Sequence, residues 1–187
     1  MTAARLGSKL FALSVLLTLG ARSLLAQSQV ISLAAAAPST LTVSIQSGAI
    51  QTIAGVTDNA INNFPAPVVI QTDWNVNPGQ TNTVDLVAYF SIPAQAMIGG
   101  AVQIPSSRIQ GRMATGLPAA FTPMTQNAIG GVGSAGGSLA LFSVSIAGAN
   151  KNASRTDNLD LRLDLVGFPT LPAGAYAGVL NIRAVTQ

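Results

Sequence analysis

The chain of 187 residues carries 9 Lys or Arg, 6 Asp, and no Glu, His or Cys. Without thiols or imidazoles, disulfides, thiol nucleophiles, Ser-His-Asp triads, zinc clusters and haem ligation are excluded together. Arg5, Lys9 and Arg22 stand at the front with no acid near them, so the formal charge of +3 belongs to that stretch and supports no nucleic-acid partner.

That front reads as a secretory signal. Two cations precede an uncharged, Leu-rich run at residues 10–19 (LFALSVLLTL), and the stretch ends in small residues at Ser23 and Ala26. The apolar run is short of the roughly 20 residues that span a bilayer as a helix. Cleavage is expected after Ala26, with residues 34–37 as a second candidate region, and no Cys follows that could carry a lipid. The chain is therefore expected to be secreted or held at the cell surface, with membrane contact only through the export signal. Beyond residue 26 six bases balance six acids, and 48 Ser, Thr, Asn and Gln stand against 12 charged side chains. Uncharged polar groups must then make most of the wet surface, which suits Thr-rich strands and Asn/Gly turns better than helices.

Residues 27–38 (QSQVISLAAAAP) form a short uncharged apolar arm. Period-two alternation begins at residue 39: Leu41, Val43 and Ile45 point one way, and Thr42, Ser44 and Gln46 the other, as in a half-buried strand. A second short strand is expected at 49–54 and a polar turn at 57–63. The runs VVIQTDW (68–74) and TVDLVAYFSI (83–92), separated by the Pro78-Gly79 turn, predict an antiparallel hairpin. Val84, Leu86, Ala88 and Phe90 would share its buried face, leaving Asp85 solvated. Residues 101–104 and 108–113, with Phe121, read as short edge strands interrupted by Pro105, Pro118 and Pro123. Five glycines in GGVGSAGG (130–137) predict a flexible loop. Strands resume at 139–146 and at 159–166, where Leu159, Leu161, Leu163 and Leu165 alternate with Asp160, Arg162 and Asp164. The last strand is expected at 176–186. The sum is an all-β, antiparallel sandwich of seven or eight strands in one domain, residues 39–187, behind the signal (1–26) and the arm (27–38).

No residue pattern supports catalysis, a cofactor or a metal site. Asp157, Asn158 and Asp160 lack the D-x-[DN]-x-D-G spacing of a calcium loop and read as turn and strand residues. The glycine-rich loop has no following Lys-Ser/Thr and opens no helix, so it is no phosphate cradle. Asn152-Ala153-Ser154 matches a glycosylation sequon, and Arg108 with Arg112 would make only a weak basic spot. Asp73 beside Trp74 is the one pairing of a carboxylate with a sugar-stacking ring, although a lone Trp in an alternating strand is more often core. Near the end, Gly174 and Tyr176 form a candidate structural corner, in which the Tyr hydroxyl bonds back to upstream backbone as in Greek-key sandwiches.

The ending PAGAYAGVLNIRA (172–184) resembles the terminal strand of secreted bacterial Ig-like subunits, where a G-x-Y-x-G-x-L-x-I pattern closes the domain. Chaperone–usher pilins and the spore-coat-protein-U-like group share it. The resemblance implies an Ig-like Greek-key sandwich and an N-terminal extension that fills a neighbour's open groove as a donor strand. It also implies self-association or association with related surface subunits, and a periplasmic chaperone. The donor residues here would be Val30, Ile31 and Leu33, which alternate only in part, and the chain lacks the disulfide that many members carry. The expected function is a non-enzymatic structural or adhesive surface subunit, polymerising through its arm into a pilus-like filament, since head-to-tail contacts give open assemblies. The alternative is a monomeric extracellular binding module, for example for glycans.

Overall fold

The computed structural model describes residues 30–33 and 39–187, with side chains from Ser39 onward. The signal-peptide reading, its cleavage point and the rest of the arm lie outside the described residues. Twelve strands follow in order: β1 (Val30–Leu33), β2 (Ser39–Ser47), β3 (Ile61–Asn63), β4 (Val68–Asn75), β5 (Thr83–Tyr89), β6 (Met97–Gly99), β7 (Val102–Ile104), β8 (Ile109–Met113), β9 (Thr122–Pro123), β10 (Ser138–Ser145), β11 (Asn152–Asp164) and β12 (Asn181–Thr186). Seven of them have five residues or more, so the expected strand number counts the long ones. Helical structure among the described residues is limited to two 3-10 turns, Pro93–Gln95 and Ser106–Arg108.

The protein is all-β and antiparallel, in a sandwich-like arrangement. The larger sheet has the order β1-β2-β4-β11-β8-β9, with β3 beside the far end of β11; the smaller has the order β10-β5-β12; β6 and β7 pair apart from both. Alternation places one face of each long strand inside. Val68, Ile70, Thr72 and Trp74 of β4, and Leu159, Leu161 and Leu163 of β11, face Leu86 and Ala88 of β5 and Leu139 and Leu141 of β10 in one core.

The expected hairpin between 68–74 and 83–92 is not formed. β4 pairs with β2 and β11, while β5 pairs with β10 and β12 in the other sheet. The turn between them carries the chain across the sandwich. Val76 is buried there, and the Asn77 carbonyl accepts from the Gln80 and Thr81 N–H groups while its Oδ1 accepts from Gly79. An alternating strand has the same pattern whether its sequence neighbour lies beside it or opposite it, so periodicity could not decide the pairing.

β5 is covered on both faces, and this corrects the solvated reading of Asp85. The carboxylate is buried and accepts from Thr83 Oγ1 (2.9 Å) and Gln187 Nε2 (2.6 Å). The strand expected at 49–54 is irregular chain. The short strand is β3, inside the expected polar turn, where buried Asn62 accepts from Thr57 N–H and donates to the Thr57 and Ala60 carbonyls. β11 starts at Asn152, earlier than expected, because its polar first half pairs with β4. The last strand begins at Asn181 rather than residue 176. The glycine-rich loop is built of hydrogen-bonded turns around buried Val132, with Ile129 and Val132 bonded in both directions.

Candidate interaction cleft

β12 ends the smaller sheet, and its outer edge has no strand partner among the described residues. The phase of that edge follows from the last pair of the ladder. Gln187 and Thr83 exchange both backbone hydrogen bonds, at 3.1 Å each, so bonded pairs recur at Val185, Arg183 and Asn181. The N–H and C=O groups of Ile182, Ala184 and Thr186 therefore point away from β5. Ile182 and Ala184 also pack on the core, so this one edge presents unpaired backbone beside an apolar interior.

Between β12 and β2 the two sheets part into a cleft of about 1000 Å³. Val43 and Ile45 of β2 form one wall and Ile182 the other, with Phe64, Leu163 and Ile104 deeper in. Two irregular segments border the opening, residues 48–58 and 171–180, and they leave Val56 and Val179 40% and 74% exposed. Among the lining residues only Asp58 and Arg183 carry charge. Asp58 Oδ1 accepts from the Leu171 N–H (3.1 Å) and so ties the two bordering segments together. Arg183 lies opposite Val87, and its Nε is buried without a hydrogen-bond partner. A cleft with apolar walls, a bare strand edge and little charge suits an extended apolar peptide, whose backbone completes the edge while alternate side chains enter the interior.

Tyr176 stands at this opening. Its hydroxyl donates to the Pro172 carbonyl (2.8 Å), and its ring packs where a Cβ on Gly99 would sit. A Cβ at Gly174 would meet open space, so the close approach is not made there. It is made at Gly178, where a Cβ would run into the Ala96 carbonyl. The role of Gly178 was missed in the sequence, although it belongs to the same G-x-Y-x-G run.

The structure separates Asp73 from Trp74. Adjacent strand residues face opposite ways. Trp74 points inward, 4% exposed, with Nε1 donating to the Asn150 carbonyl (2.9 Å), while Asp73 accepts from Gln71 on the outer side. The indole thus offers no face to a ligand. Asp157 and Asp160 are parted in the same way. Asp157 is buried and paired with Arg155 (2.6 Å), whereas Asp160 is outside and paired with Arg112 (2.9 Å). No group of three potential metal ligands occurs among the described residues. Arg108 donates to the Val166 carbonyl and covers the Phe168 ring, so it does not join Arg112 in a basic spot.

Of the arm, Val30, Ile31 and Leu33 lie in β1, which pairs with β2 of the same chain: Val30 opposite Thr42, Ile31 opposite Leu41, Ser32 opposite Thr40 and Leu33 opposite Ser39. Comparison with protein-family models, curated proteins and solved structures finds no match for this chain.

Proposed function

We propose that this chain is an exported, non-enzymatic structural or adhesive subunit of the cell surface, which joins copies of itself or related subunits by strand addition. The observation that carries the reading is the bare edge of β12 beside the open apolar cleft. Isolated exposed edges are a hazard that proteins ordinarily blunt with charge, Pro or a covering element. Here the outward backbone groups of Ile182, Ala184 and Thr186 stand beside the cleft, which fits a surface kept for a partner strand. Lettered along the chain, the seven long strands give A-B-F-D in the larger sheet and E-C-G in the smaller, so the fold is a sandwich whose strand order departs from the A-B-E-D and C-F-G sheets of an immunoglobulin domain. Residues 27–38 supply an uncharged segment long enough to add as one strand. A periplasmic chaperone that occupies the same edge before assembly belongs to this reading.

The glycan-binding alternative loses the platform it was built on, because Trp74 is core. The test is direct. Protein lacking residues 27–38 should fold, remain monomeric and bind a labelled synthetic peptide of residues 27–38, measured by fluorescence anisotropy. Assembly that survives the deletion, or a folded deletion protein that ignores the peptide, would rule out arm donation.

A further inference from the structure

Three side chains converge on the face of the smaller sheet that is turned away from the core. Val84, Leu86 and Ala88 of β5 point into the core, so Thr83 and Asp85 share the other face, and Gln187 joins them from across the ladder with β12. Thr83 Oγ1 donates to Asp85 Oδ2 at 2.9 Å, and Gln187 Nε2 donates to the same oxygen at 2.6 Å. A hydroxyl and a carboxamide thus meet at one buried carboxylate. Loop backbone lies against the carboxamide: a Cβ on Gly130 would stand 3.0 Å from Gln187 Cδ. Thr83 and Gln187 are also directly opposed, since they exchange both backbone hydrogen bonds. Opposed residues keep their Cβ atoms about 4.5–5.5 Å apart, a gap bridged by three atoms in a row, Oγ1, Cδ and Cγ.

From this we infer that Thr83 and Gln187 become joined by an ester cross-link, which the chain makes itself with Asp85 as the proton carrier. Asp85 takes the hydroxyl proton while Thr83 Oγ1 attacks Gln187 Cδ. It then returns that proton to Nε2, which it already touches. The Oγ1–Cδ bond forms, the Cδ–Nε2 bond breaks and ammonia leaves, and the carboxylate ends as it began. No co-reactant enters. An ester is less stable in water than an amide, so the step depends on position. The ladder supplies it by holding the two groups opposed, and ammonia diffusing away carries the reaction forward. The product ties β12 covalently to β5, its one strand partner among the described residues, and closes a long loop of chain. Unzipping the backbone bonds of the ladder would then no longer free β12. The inference does not rest on the strand-addition reading, because it concerns the edge of β12 that is already paired.

Peptide mapping of the unaltered protein, denatured and digested with trypsin, is the test. Lys and Arg are absent between Arg22 and Arg108, and Arg183 is the last basic residue. The cross-link would therefore leave residues 184–187 attached to the peptide that ends at Arg108. The joined peptide should weigh less than its two parts together by one ammonia, about 17 Da, and hydroxylamine, which cleaves esters, should separate it. Ammonia lost elsewhere in the chain would lower the mass alike but join nothing. Thr83→Val and Asp85→Asn, each with the native circular dichroism spectrum, should release residues 184–187 as a free tetrapeptide. Should Asp85→Asn not fold, Thr83→Val, which keeps the shape of the side chain, carries the same expectation. Two results would overturn the inference: a free 184–187 peptide from the unaltered protein, or a joined peptide that survives either substitution in folded protein.

Discussion

Thr72 is fully buried on the inward face of β4, and its hydroxyl has no hydrogen-bond partner. Its strand neighbours explain how a hydroxyl comes to be there. Across β11 it faces Arg155, and one inward step along that strand is buried Asp157, whose Oδ2 takes the Arg155 Nε–H while Oδ1 is left unpaired. The Arg155 guanidinium in turn lies over the Phe142 ring at 4.7 Å and reaches the Thr115 carbonyl. A small polar cluster thus runs from the Arg155 side chain, which reaches the surface, into the core, and the two buried oxygens without partners are a standing cost. Thr72→Val keeps the shape and removes one of them. It should raise the unfolding free energy by about 1 kcal/mol, read as a shift of the urea midpoint without a change in slope. Asp157→Ala should do the reverse, costing about 2 kcal/mol, because it removes the charged partner that accepts from the half-buried Arg155 guanidinium. Equal effects of the two substitutions would show that the cluster is solvated.

At the scale of elements, the strands themselves were legible and their partners were not. Leu41, Val43 and Ile45, or Leu159 to Leu165, announce a half-buried strand because side chains alternate whatever lies alongside. The arch from β4 to β5 was read as a hairpin for the same reason, since a Pro-Gly turn serves both. The first half of β11 was hidden because its inward positions include Arg155 and Asp157, which balance each other's charge inside the sandwich; no local pattern signals that. The cleft was invisible as well, since it is made by what does not pair with β12. That edge has a specific test. Ile182→Pro removes an N–H that points away from β5, so the β5–β12 ladder keeps its bonds, and Pro is tolerated on edge strands. The variant should keep its circular dichroism spectrum and lose binding of the 27–38 peptide. An unchanged affinity would mean that the edge is not where the strand adds.

Beyond residue 26 the chain carries little charge and none in excess. From residue 27 onward its six bases and six acids cancel, the arm has no charged residue, and the cleft lining has one of each sign. Electrostatic steering therefore has little to act on, and the proposed association would rest on buried apolar surface and the backbone bonds of one added strand. These two sources respond differently from ion pairs. Salt screens exposed charges over about 8–10 Å at ordinary ionic strength, so the rate and extent of assembly should change little from dilute to concentrated NaCl. Sulfate, which strengthens apolar burial by exclusion from the surface, should promote assembly, and calorimetry should give a negative heat-capacity change. A steep loss of assembly in NaCl would place the contact elsewhere. The exposed charged ladder on the outer faces of β8 and β11, with Arg112, Asp160 and Arg162, would then be the surface to examine, because charge of both signs is concentrated there.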